Sequence, residues 1–262
     1  MLFLLTGDVQ IGKTRWLEKL CGDLAAAGVC VAGVIAPGQW VPRAEGQPGG
    51  RHGFDGEGRF EKLGIDNALL PQGERIVFAR RRDLAEGDQP FAQGEQAKAA
   101  QLAWAISDEA IAQVNNHFAM LAKMGQRDCP FVPLSGGGAR GRATTGSASA
   151  DGGSAGGHST AGDALTGAVS ASEKLAPAIA PGSFLVVDEL GRLELLRGCG
   201  LTNAVALLDA GPTPTFPHAL AVVRETLLDQ AISRFAPAWG EPQPIAPGDE
   251  ARQLILNTFG AR

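Results

Sequence analysis

The first six residues, Met1 to Thr6, are almost wholly apolar, as a strand buried on both faces of a sheet would be. Apolar positions then recur at Trp16, Leu17, Leu20, Leu24 and Ala27, a helical spacing that predicts a helix over Lys13 to Ala27, stopped by Gly28. Val29 to Ile35 is a second apolar run, ended by Pro37-Gly38. Strand, helix and strand in this order predict a βαβ unit and a parallel sheet.

Residues 39 to 95 break that rhythm with frequent Gly and Pro. His52 to Phe60 and Arg75 to Arg80 are expected to be hairpin-like strands of a small antiparallel insert beside the main sheet. Ser107, followed by Asp108 and Glu109, is an N-cap for a helix reaching Met124. Leu134 to Ser172 is dominated by Gly, Ala, Ser and Thr, so it buries too little surface to offset its ordering entropy, and a disordered loop is expected there.

Alternation then resumes. Strands are predicted at Phe184 to Val187, His218 to Val223 and, as a short edge, Pro242 to Ala246. Helices are predicted at Leu201 to Asp209, Glu225 to Phe235 and Glu250 to Phe259. The whole pattern, residues 1–262, predicts a single α/β domain of three layers around a mostly parallel sheet.

Composition narrows the functions this chain can have. Of its 262 residues 44% are hydrophobic and 19% charged, within the range of folded domains. A formal net charge of -5 argues against a nucleic-acid or anionic-membrane binder, and no apolar run approaches membrane-spanning length. The apolar start is too short, and lacks the basic flank, for a signal peptide. Cys21, Cys30, Cys129 and Cys199, like His52, His117, His158 and His218, show no metal-ligand or disulfide spacing. A reducing cytoplasm is the expected compartment.

The candidate chemistry begins at Gly7-Asp8-Val9-Gln10-Ile11-Gly12-Lys13-Thr14, which matches the Walker A pattern G-x-x-x-x-G-K-[ST] at every specified position. An apolar strand precedes it and an amphipathic helix follows, as a P-loop requires. Gly7 and Gly12 let the backbone curl so that its N–H groups face an anion, and the helix N-terminus adds positive partial charge. Asp8, Val9, Gln10 and Ile11 contribute backbone donors. Lys13 is expected on the β- and γ-phosphates, and the Thr14 hydroxyl on Mg²⁺.

Phe184-Leu185-Val186-Val187-Asp188-Glu189 has the form of a Walker B strand, its acids emerging where open parallel sheets bind ligands. Asp188 is expected to hold Mg²⁺. Glu189, directly after it, is placed to orient and deprotonate a water, which favours hydrolysis. Arg192 and Glu194 are either a local ion pair or residues at the lip of the site. Arg224, which follows the strand His218 to Val223, either senses the γ-phosphate as a catalytic cation or is a solvated residue opening a helix.

Val187-Asp188-Glu189-Leu190-Gly191-Arg192-Leu193-Glu194-Leu195, together with the N-terminal P-loop and Gly33-Val34-Ile35-Ala36-Pro37, resembles the THEP-type nucleoside-triphosphatases. Those proteins carry a GKT-ended P-loop and D-E-x-G-x-x-E-L on one RecA-like domain, and hydrolyse nucleoside triphosphates with broad base tolerance. The resemblance spans about three quarters of the chain and implies phosphate and Mg²⁺ roles for Lys13 and Thr14, a Mg²⁺ role for Asp188 and water activation by Glu189. Three features depart from the family pattern. Gln10 stands where a further Gly is usual, Val223-Arg224-Glu225 replaces a His with basic neighbours, and the Gly/Ala/Ser-rich stretch is unusual.

The expected function is therefore a Mg²⁺-dependent nucleoside-triphosphatase acting on ATP or GTP. Two alternatives stay open. One is a small-molecule or nucleotide kinase, with Arg80-Arg81-Arg82 gripping an anionic acceptor. The other is a nucleotide-driven switch acting on a protein partner that the sequence does not identify. No N-K-x-D segment is present to select guanine.

Overall fold

The fold described below is that of a computed structural model, which describes residues 1–8, 11–42, 59–85, 94–99, 104–125 and 179–260. The predicted disordered loop, Leu134 to Ser172, lies outside these residues, as do Val9 and Gln10.

Chain order runs β1 (Leu2–Leu5), α1 (Lys13–Ala26), β2 (Val31–Ile35), β3 (Gly38–Pro42), β4 (Phe60–Leu70) and β5 (Glu74–Arg81). It continues through α2 (Arg82–Ala85), α3 (Glu95–Ala99), β6 (Trp104–Ile106), α4 (Asp108–Gly125), β7 (Phe184–Leu190) and α5 (Arg192–Arg197). The last elements are α6 (Thr202–Asp209), β8 (His218–Val223), a 3₁₀ turn at Glu225–Leu227, α7 (Leu228–Trp239), β9 (Gln243–Ile245) and α8 (Asp249–Thr258).

Period-two alternation in the buried strands sends side chains into two cores. Leu2 and Leu4 of β1, and Leu185 and Val187 of β7, join Phe118 of α4, Leu208 of α6 and Phe235 of α7 on one face. Phe3 and Leu5, with Phe184 and Val186, meet Leu17, Leu20 and Leu24 of α1 and Ile255 of α8 on the other. The result is the predicted three-layer mixed α/β arrangement. Each fully buried Leu or Phe side chain contributes on the order of 2 kcal/mol of transfer free energy.

The sheet runs β6-β5-β4-β2-β7-β8-β1-β9, with β3 paired to β4. Its second half, β2-β7-β8-β1-β9, is parallel throughout. Strand β8 lies between β1 and β7, so the strand leading into the P-loop and the strand carrying Asp188 are separated by one strand. Both strands end at the same edge of the sheet.

The antiparallel strands differ from the expected insert. They are not beside the main sheet but part of it, because β4 pairs directly with β2. The hairpin arm expected at His52 to Phe60 is instead β4, which begins at Phe60 and runs to Leu70; residues 52–58 lie outside the described set. Asp, Asn, Gly and Lys along β4 weaken its strand signal, and a bulge between Ile65 and Asp66 breaks its alternation. Strands β3 and β6 and helix α5 were not expected, and the helix expected at Glu225 begins at Leu228 after a 3₁₀ turn.

Two polar devices hold the site's scaffold. Ser107 caps α4, its Oγ accepting the Ala110 N–H at 3.3 Å, as predicted. Further along α4, buried His117 sets Nε2 3.1 Å from the Gly33 carbonyl and 3.0 Å from that of Leu70. This ring fastens α4 to β2 and to the end of β4, across the boundary between the parallel and antiparallel halves.

Candidate functional site

The P-loop leaves β1 after Thr6, whose N–H bonds the Ile245 carbonyl of β9 at 2.9 Å. Gly7 and Gly12 both have positive φ, 134° and 90°, a backbone that side-chain-bearing residues rarely adopt. Gly12 caps α1, and its carbonyl accepts the first helical bond from the Trp16 N–H at 2.9 Å. The Trp16 indole then donates to the Gly248 carbonyl at 2.9 Å, tying the start of α1 to the loop between β9 and α8. That loop and the first turns of α8 line a hollow of about 660 Å³, beside Ala246, Pro247 and Leu254. The hollow borders the P-loop: a Cβ added to Gly7 would meet Ile11 Cδ1 at 2.6 Å and Pro247 Cδ at 4.0 Å.

Lys13 folds back over the loop. Its Nζ donates to the carbonyls of Gly7 and Asp8, both at 2.7 Å. A cation whose partners are neutral carbonyls exchanges them readily for phosphate oxygens, which bind it more strongly.

The side chain of Thr14, one residue further, comes close enough to Asp188 to help stabilise its charged form. The two motifs therefore meet in space. Asp188 is 3% exposed and accepts the Ala36 N–H on Oδ2 at 3.0 Å. Burial is the main force that pushes its pKa up to about 6; the Ala36 bond opposes it, the neighbouring Glu189 charge adds to it, and Thr14 and Lys62 oppose it. A buried carboxylate beside a hydroxyl, with no cation in contact among the described residues, is an oxygen donor pair suited to Mg²⁺. Among the described residues no group of three or more His, Cys, Asp or Glu could hold a metal alone.

Glu189 points elsewhere. Its Oε1 accepts from Arg224 Nε at 2.7 Å, and both side chains are partly exposed, 34% and 56%. Arg224 is 56% exposed and opens the 3₁₀ turn at Glu225–Leu227, in keeping with the second expectation for it. The cation does emerge at the sheet edge, but it engages the carboxylate of Glu189.

Glu194 is not paired with Arg192 and does not line the lip. It is buried, and its two oxygens accept the N–H groups of Gly191 at 2.8 Å and Leu201 at 3.0 Å. Burial raises its pKa, while these bonds work against the rise. The side chain thus closes the start of α5 and the start of α6 around the segment that leaves β7. The Arg80-Arg81-Arg82 run is partly spent within the sheet: Arg81 pairs with Glu61 and, at 2.6 Å, with Asp83.

Residues that the sequence pattern did not single out complete the surroundings. Trp40 of β3 is the cross-strand partner of Lys62 on β4. Lys62 Nζ lies 5.9 Å from the Trp40 ring centre and 5.4 Å from that of Trp104 on β6. Arg15, next after Thr14, has its guanidinium carbon 5.9 Å from the centre of the same Trp40 ring. Burial lowers the Lys62 pKa, and the charges of Glu189 and Asp188 raise it. A cation between two indoles was invisible in the sequence because its strand had no readable alternation. The only available signal was the spacing of Trp40 and Lys62 to either side of a turn-rich stretch.

Cys21, Cys30 and Cys199 are free thiols, and burial pushes Cys21 up to about 12, so it is inert rather than reactive. Among the described residues no helix is long and apolar enough to cross a membrane.

No family model and no curated protein matches this chain. Among solved structures, it is similar to the solution structure of a human cancer-related nucleoside triphosphatase at 16% identity, over 98% of this chain and 94% of that one, with a TM-score of 0.46. A likeness at this level leaves the roles of individual residues to the chemistry of the chain itself.

Proposed function

We propose that this protein binds a nucleoside triphosphate with Mg²⁺ at the Gly7–Thr14 loop and hydrolyses it to the diphosphate and phosphate. The observation that carries this reading is the approach of the Thr14 side chain to Asp188, which brings the Gly7–Thr14 loop and a buried acid to one point. Glu189, next in the chain, stands at the same sheet edge.

The loop's N–H groups and the N-terminus of α1 receive the phosphates, and Lys13 trades the Gly7 and Asp8 carbonyls for phosphate oxygens. Thr14 and Asp188 would hold Mg²⁺, whose charge offsets that of the β- and γ-phosphates when bound. Glu189 accepts a proton from water. The water oxygen bonds to the γ-phosphorus as the bridging β–γ oxygen leaves with its electron pair on the diphosphate. Arg224 holds Glu189 Oε1 and so fixes the direction in which the other oxygen faces. Arg224 is a positioning residue in this scheme.

Phosphate release from a panel of nucleotides, with Lys13→Ala as control, tests the proposal. Release and binding by the wild type, both lost in Lys13→Ala, are expected. Absence of both from the wild type would sink it.

A further inference from the structure

Lys62 has no part in the P-loop or the acidic motif, yet the fold brings it to them. Residues 36–38 are the link. The Ala36 N–H bonds Asp188 Oδ2. Two residues later, a Cβ added to Gly38 would lie 2.7 Å from Lys62 Cε and 2.6 Å from Trp40 Nε1. The absence of a side chain at Gly38 therefore leaves the space through which the Lys62 stem passes. Its ammonium feels the charges of both Asp188 and Glu189.

What Lys62 lacks is equally informative. Among the described residues its Nζ has no hydrogen-bond acceptor and no salt-bridge partner within contact distance. Its neighbours there are the faces of Trp40 and Trp104, which steady a cation without satisfying its three N–H donors. Lys62 stands on β4, in the antiparallel half of the sheet, while Lys13 follows β1 in the parallel half. A half-buried ammonium with unmet donors beside a triphosphate site calls for an anionic acceptor.

We infer that Lys62, delivered by the β3–β4 pair and braced by Trp40 and Trp104, contacts the terminal phosphate of the bound triphosphate and is a catalytic residue of its hydrolysis. The inference rests on the hydrolytic reading above for its catalytic part, but its binding part is independent. Lys62 stays protonated throughout. It neutralises charge on the γ-phosphoryl oxygens as the β–γ bond breaks, and the water proton goes to Glu189. Because a diphosphate lacks that group, Lys62 discriminates substrate from product.

The test compares wild type with Lys62→Met, which keeps an unbranched apolar stem between the indoles, and with Lys62→Arg. Phosphate release from Mg-ATP is measured beside calorimetric titrations with ADP and with the β,γ-imido analogue of ATP. Lys62→Met is expected to slow release about 10²-fold, the scale for loss of one preorganised donor. Its affinity for the imido triphosphate should fall about tenfold, the effect of one charge-assisted hydrogen bond, while ADP affinity stays near wild type. Lys62→Arg should recover part of both effects.

An unchanged ratio of triphosphate to diphosphate affinity in Lys62→Met overturns the assignment, and wild-type hydrolysis would still stand. A fallen ratio in Lys62→Met, with a wild type that releases no phosphate, keeps the contact and removes the hydrolytic reading. Binding of neither nucleotide by the wild type removes both. If Lys62→Met unfolds, as circular dichroism would reveal, Lys62→Gln takes its place and the same affinity ratio decides.

Discussion

Arg224 Nε lies 2.7 Å from Glu189 Oε1, joining the end of β8 to the end of β7. Since β8 is the strand between those bearing the P-loop and Asp188, this contact spans adjacent strands at the sheet edge where the site forms. An ion pair this exposed contributes little to stability, about 0–1 kcal/mol. Its consequence lies in where it holds the carboxylate.

Replacing Arg224 by Ala should therefore leave the melting temperature nearly unchanged while lowering kcat about tenfold, the cost of a misplaced catalytic group being of that order or more. KM for the triphosphate should barely move. Steady-state kinetics check the split, and a rise in KM with kcat intact would instead make Arg224 a phosphate-binding residue.

Glu189→Gln keeps the shape and removes the proton acceptor. Turnover should drop roughly 10²- to 10⁴-fold, the usual worth of general base catalysis, with nucleotide affinity preserved. Phosphate release paired with calorimetric binding measures both, and unaltered turnover would show that another group takes the proton.

Asp188→Asn separates function from stability. Burial raises the folded pKa of Asp188 from 3.8 to about 6. A raised carboxylate pKa contributes stability below the unfolded value, and that contribution is lost as pH rises through the folded value. At pH 8 the charged group thus weighs against the fold, and Asn should stabilise the nucleotide-free protein by on the order of 2 kcal/mol. The same change should raise the Mg²⁺ concentration needed for half-maximal turnover, and chelation with EDTA should stop release in both proteins. Urea unfolding at pH 8 and a Mg²⁺ titration are the measurements.

His117 carries the opposite sign. Burial is the main cause that lowers its pKa below 6.5; hydrogen bonds to Gly33 and Leu70 and the charge of Glu74 resist the fall. For a depressed pKa the stability is present above the unfolded value and is lost as pH falls toward the folded one. Urea midpoints should accordingly drop as pH is taken below 6.5. In His117→Gln that part of the slope should vanish; its persistence would assign the acid sensitivity to other groups.

Glu194→Ala leaves the N–H groups of Gly191 and Leu201 without their acceptor in a buried setting. A loss of about 1–3 kcal/mol is expected, the desolvation cost of unsatisfied donors. Chemical unfolding measures it, and a change within error would mean that water replaces the carboxylate.

Much of the parallel half was legible along the chain because each signal there is local. Four or more consecutive apolar residues at Leu2–Leu5 and Phe184–Val187 cannot sit anywhere but between two helical layers. His218–Val223 coincides with its predicted bounds, and the Ser107 cap was placed correctly. The antiparallel half was hard to read because β4 mixes charged and small residues and changes face at its bulge. Its pairing with β2 is a long-range fact that no window of sequence contains. Helix α5 escaped notice for a similar reason: the acceptor for the Gly191 N–H at its start is Glu194, which also has to reach Leu201.

By itself, the sequence marked the residues proposed to bind phosphate and an oxygen-liganded ion, since Gly7–Thr14 and Asp188-Glu189 are contiguous and the chemistry proposed for them depends on residue type and local backbone. Only the tertiary structure decided how they are partnered. It brought Thr14 close to Asp188, turned Arg224 onto Glu189, buried Glu194, and set Lys62 between Trp40 and Trp104 within the field of the two carboxylates. The physical reason is strand order. Side chains far apart along the chain become neighbours only after hydrogen bonding across the sheet has placed β4, β2, β7 and β8 side by side.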